Sequence, residues 1–133
     1  MSPSRPVLVI EDDAAFVRIL EMFNRRWQLP LEFQSRPAGI QSATGASAHY
    51  GLVLSDLRIP GLEVMKELAA FRTREPAVPI VLMSSLGADE LPPEALALHP
   101  EAIYSKEAII READRFAADL SRFLAAAGDG VRS

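Results

Sequence analysis

The chain has no cysteine, which excludes a disulfide framework, a thiolate metal centre and a thiol nucleophile, and fits a reducing cytoplasm best. It also lacks any apolar run near the roughly 18 residues that a membrane-spanning helix needs. The opening MSPSRP is not followed by the longer apolar core of a secretory signal. No membrane association is therefore expected. Cationic clusters are missing too. The net charge is -4, and the largest basic pair is Arg25-Arg26. Direct nucleic-acid binding, which sets several cations against phosphates, is disfavoured.

What remains is ordinary for a folded domain. With 49% hydrophobic and 24% charged residues in 133 positions, the chain is predicted to form one domain, residues 1–133, without staples. Its core is expected over about 7–126, with frayed ends. Short apolar runs alternate with helical patterns: VLVI (7–10), LEF (31–33), LVLS (52–55), PIVLMS (79–84) and AIYS (102–105). This alternation is the signature of βα units on a parallel sheet.

Phe16, Leu20, Phe23 and Trp27 make one apolar stripe on the first helix, with Asp13 as its expected N-cap. Residues 38–49 are small and polar, which predicts a short or irregular second helix. Pro92 and Pro93 predict a late start for the fourth, over about 89–99. From Ile109 to Leu124 a stripe recurs at three- and four-residue steps, predicting one long last helix that Gly128 stops. Five such units form an α/β three-layer sandwich, and the flavodoxin-like (βα)5 order 2-1-3-4-5 is a common solution. Strands 1 and 3 then lie side by side.

Charged groups stand where such strands end. Glu11, Asp12 and Asp13 follow the first, and Asp56 closes the third before the chain breaks at Pro60 and Gly61. Like charges held this close raise one another's pKa unless a cation lies between them. All-oxygen ligation at an open site favours Mg²⁺ or a similar hard divalent ion. Ser84 and Ser85 end the fourth strand, and Ser105 and Lys106 end the fifth. A lysine beside excess carboxylate completes the charge balance.

The ordered set IEDD (10–13), LVLSDLRIPG (52–61), PIVLMSS (79–85) and AIYSKE (102–107) resembles the response-regulator receiver domains, the CheY-like phosphoacceptors of two-component signalling. The resemblance runs from Val7 to about Leu124. The spacings fit the family pattern: 45 positions from Glu11 to Asp56 (56 minus 11) and 22 from Ser84 to Lys106 (106 minus 84). It implies that Asp56 accepts a phosphoryl group from a histidine kinase or phosphotransfer protein. Mg²⁺ would be held by Asp12 and Asp56 directly, by Glu11 through water, and by the backbone carbonyl of Arg58. Lys106 would pair with the acyl phosphate, and Ser84 would hydrogen-bond it. Ser85, Leu86, Ile103 and Tyr104 would form the switch region, and a homodimer would use the side of strand 5 and its helix. The resemblance implies no turnover of an external substrate beyond self-phosphorylation and dephosphorylation.

Four departures from the pattern carry expectations of their own. Only Gly61 separates Pro60 from Leu62, so the loop after strand 3 is shortened. Glu107 replaces the proline that often follows the lysine, so a trans bond is expected there. Ile103 occupies the usual aromatic switch position, with Tyr104 one residue late and pointing to the other face. LPPE interrupts the helix after Ser85. These departures keep open a second reading, a degenerate receiver that binds partners without phosphorylation. Two other readings fare worse. A haloacid-dehalogenase-type phosphatase would need an acid where Arg58 stands, and a flavodoxin-like cofactor site would set phosphate against Glu11 to Asp13.

Overall fold

The structure, a computed structural model, describes residues 5–45, 50–85 and 91–132, with side chains given as far as residue 126. Five strands, β1 (Val7–Ile10), β2 (Leu31–Gln34), β3 (Leu52–Asp56), β4 (Ile80–Ser84) and β5 (Ala102–Ser105), form one sheet of order β2-β1-β3-β4-β5. Every neighbouring pair is parallel. The helices are α1 (Ala14–Trp27), α2 (Pro37–Gly45), α3 (Val64–Arg74), α4 (Pro93–Ala97), α5 (Lys106–Arg111) and α6 (Ala113–Arg132).

Alternation along each strand feeds two cores. Leu8, Ile10, Val53, Ile80 and Leu82 pack with residues of α2, α3 and α4. Val7, Val9, Leu52, Leu54, Val81 and Met83 pack with α1, α5 and α6. Both faces are covered, which is why these runs are continuously apolar.

Local signals explain the ends of α1. Asp13 Oδ1 accepts the amides of Ala15 at 3.0 Å and Phe16 at 3.3 Å, satisfying donors that the helix leaves open. At the other end Gln28 takes a left-handed conformation, φ 57°, and Asn24 both accepts from Leu29 N at 2.9 Å and donates to its carbonyl at 3.0 Å. Trp27, in the last turn, packs against Phe23 and Phe116, with ring centroids 5.3 and 6.0 Å apart.

Two expectations for the last helical stretch need correction. The single long helix is broken at Glu112, where φ is -123° and ψ 50°, into α5 and α6. Apolar spacing gives no sign of this break, because Ile109 and Phe116 lie seven positions apart and share a face across two turns whether or not the helix is interrupted. Gly128 does not stop α6, which continues to Arg132. Glycine permits a left-handed cap without imposing one, and inside a helix it costs only about 1 kcal/mol. The second and fourth helices are short, nine and five residues, as their compositions suggest.

The end of α3 is clamped to both the β4 entry and the end of α4 by Arg72. Its guanidinium donates to Val78 O at 2.8 Å and to Leu98 O at 3.2 Å. Arg72→Met keeps the aliphatic stem but strands these part-buried carbonyls. It should lower the unfolding free energy by about 1–3 kcal/mol in urea titration.

Candidate functional site

Register brings the polar groups together. Ile10 pairs with Ser55 across β1 and β3, so the residues that follow, Glu11 and Asp56, emerge side by side. Asp56 lies opposite Met83, one residue before Ser84, and Ser84 pairs with Ser105, which immediately precedes Lys106. Glu11, Asp12 and Asp56 each offer a carboxylate oxygen within 4.8 Å of the others. Asp13 caps α1 instead of joining them.

Lys106 Nζ forms an ion pair with Glu11 Oε1 and another with Asp56 Oδ2 at 3.2 Å. The remaining Asp56 oxygen, Oδ1, accepts the Leu57 amide at 2.7 Å. Glu11 is fully buried, while the Asp56 side chain keeps 14% exposure, enough for it to be reached from solvent. Three carboxylates against one ammonium leave a formal charge of -2 when all are ionised. Burial, then the hydrogen bond and charge of Asp56, push the Glu11 carboxyl up to about 7 against the pull of Lys106. Burial works against the Lys106 ammonium, but the two carboxylates outweigh it and its pKa is raised.

These donors are hard oxygens with an unbalanced double negative charge. The set fits a divalent ion of the magnesium type. Arg58, whose backbone carbonyl the family resemblance would add as a ligand, is exposed in the loop after β3. That loop is short because it closes on itself. Ile59 and Leu62 bridge, Leu62 N donates to Ile59 O at 3.1 Å, and Gly61 holds φ 82°. Proline then glycine at the centre is the composition of a type II turn.

Ser84 is buried at the rim and Ser85 is exposed beside it; Leu86 lies outside the described residues. Ile103 packs with the α3 and α4 side, whereas Tyr104 packs with the α1 and α6 side. The one-residue offset thus separates them as alternation requires. Tyr104 Oη donates to Asp119 Oδ2 at 2.6 Å, and its ring meets Phe116 edge-on at 5.0 Å. Burial and this bond raise the Tyr104 pKa. Among the described residues no peptide bond is cis, including Lys106-Glu107, and no helix is long and apolar enough to cross a membrane.

One neighbour of the site escaped the sequence pattern. Lys106 Nζ lies 4.9 Å from the centroid of the Phe16 ring, a residue otherwise read only as part of the α1 stripe.

No family model matches the chain. In sequence it is 35% identical over 88 residues to the transcriptional activator protein PfeR of Pseudomonas aeruginosa, an alignment covering 66% of this chain and 28% of that protein. The chain thus spans under a third of that relative. In structure it matches the signal receiver domain of an HD domain-containing protein from Pseudomonas fluorescens with a TM-score of 0.81 and 17% identity, over 99% of this chain and 95% of the other. It also matches the receiver domain of a sensor histidine kinase from Pseudomonas aeruginosa, with a magnesium ion coordinated in its active-site cleft. There the TM-score is 0.72 and the identity 18%, over 92% of this chain and 99% of that one. In fold, and over 88 residues in sequence, the chain thus resembles the response-regulator receiver domains of two-component signalling.

Proposed function

We propose that the domain accepts a phosphoryl group on Asp56 from a histidine kinase or phosphotransfer protein, in a Mg²⁺-dependent reaction, and thereby switches a partner or output domain. The observation that carries this reading is the Asp56 carboxylate itself. It is partly exposed at a strand end, 3.2 Å from Lys106 Nζ and grouped with Glu11 and Asp12.

In the forward step an Asp56 oxygen forms a bond to phosphorus while the bond from phosphorus to the donor histidine nitrogen breaks, its electron pair returning to the imidazole. The Leu57 amide fixes the carboxylate while Lys106 offsets charge on the transferring oxygens. Ser84, at the same rim, donates its hydroxyl to the acyl phosphate. Asp12, Asp56 and the Arg58 carbonyl would hold the ion, with Glu11 acting through water. Mg²⁺, when bound, supplies charge neutralisation at the phosphoryl oxygens.

A small acyl-phosphate donor with Mg²⁺ should add one phosphoryl group to the chain, read by intact mass. Chelation should abolish the addition, and labelling that survives chelation would overturn the Mg²⁺ requirement.

Tyr104, tied to Asp119 on the face opposite Ile103, favours a second reading, in which binding is independent of phosphorylation. Beryllofluoride separates the two. A spectrum that shifts beyond the site favours the switch, and one unchanged outside it favours the constitutive binder.

A further inference from the structure

Phe16 belongs to the core, at 4% exposure, yet its ring also faces the Lys106 ammonium. The ring is held firmly. Its amide bonds the Asp13 cap at 3.3 Å, and its side chain packs in one cluster with Leu20, Ile109 and Phe116. Ile109 stands one turn beyond Lys106 on α5, so the helix that carries the ammonium is packed against the same cluster that fixes the ring.

Lys106 is only 15% exposed, which strengthens attraction to an aromatic face by excluding water. Its two anionic partners, Glu11 and Asp56, are also candidate ligands of a divalent ion. An ion drawing on those carboxylates competes with the ammonium and repels it. The quadrupole of a phenyl ring takes no part in that competition.

We propose that Phe16 is a positioning residue for phosphoryl transfer: its ring face keeps the Lys106 ammonium at the site when a divalent ion engages the carboxylates that otherwise hold it. The proposal rests on the phosphoacceptor reading above. Lys106 remains the group that meets the phosphoryl oxygens. Phe16 acts only through it.

The test uses the full chain with 4-fluoro-, 3,5-difluoro- and 3,4,5-trifluorophenylalanine at position 16, which nearly keep the shape of the ring while draining its negative face. With an acyl-phosphate donor and Mg²⁺, the initial labelling rate should fall step by step, by roughly tenfold for the trifluoro ring, with an unchanged circular-dichroism spectrum. A ring that merely fills the core gives equal rates across the series, and that result overturns the proposal.

A second readout does not depend on labelling. The Hε protons of Lys106 should be shifted upfield by the Phe16 ring, in NMR spectra with and without Mg²⁺, and Phe16→Leu should remove the shift. If Mg²⁺ alone erases it in the unmodified chain, the ammonium leaves the ring and the proposal fails. A chain that takes no phosphoryl group defeats the phosphoacceptor reading instead, and the Lys106 shift with Mg²⁺ still decides where the ammonium sits.

Discussion

Asp56→Asn should reduce phosphoryl labelling to background while making the metal-free domain more stable. The amide keeps the size of the carboxylate, and its oxygen can still accept the Leu57 amide held at 2.7 Å by Oδ1. What it loses is nucleophilicity, because an amide oxygen attacks phosphorus far more slowly than a carboxylate. The stability gain has a separate origin. Asp56 raises the Glu11 pKa, so removing its charge relieves repulsion inside a buried group. Opposite signs in activity and stability are typical of a functional residue held under strain. Intact mass after incubation with donor, beside a thermal melt, checks both. Continued labelling would move the acceptor to another carboxylate, with the exposed Asp12 the first candidate.

The second large effect is a pH-dependent stability that Mg²⁺ should offset. Glu11 has a folded pKa of about 7 against an ordinary 4.5. A raised carboxyl favours the folded state while it is protonated, so its contribution is complete below about 4.5 and lost as pH rises through 7. The metal-free domain should therefore melt lower at pH 8 than at pH 6. Divalent binding prefers the ionised cluster, so the Mg²⁺ increment should be larger at pH 8. At one hundred times its dissociation constant a ligand adds about 2.7 kcal/mol, which for a domain of this size is roughly 8 °C. Glu11→Gln should flatten the pH slope above pH 6 and shrink the Mg²⁺ increment. An unchanged slope in that variant would assign the pH dependence to other groups.

The strands were legible because each is a short apolar run, and β1 and β5 fall on the residues that the runs mark. The carboxylates were legible because an acid at the end of an apolar run is conspicuous, and the sheet order then brings β1 and β3 together. Lys106 beside them was legible too, since the fifth strand ends at the same rim and the acids lack a counter-charge. Its approach to Phe16 was not, because the place of that ring in the α1 stripe already accounts for it. The role of Tyr104 was half visible. Alternation gives the face it points to, but its bond to Asp119 depends on how α6 lies, and that follows from the break at Glu112. Apolar periodicity is blind to such a break when the stripe resumes in phase.

Trp27 is the only indole of the chain, and its place between Phe23 and Phe116 makes it a built-in optical gauge. It ends a 14-residue helix that begins beside the carboxylates, so at about 1.5 Å per residue it sits roughly 20 Å along the helix from them. Its emission therefore records whether α1 lies against α6 and is screened by distance from ions entering at the strand ends. A titration of the site and the melting of the domain can be followed in one cuvette, because the indole responds to the second and is silent to the first.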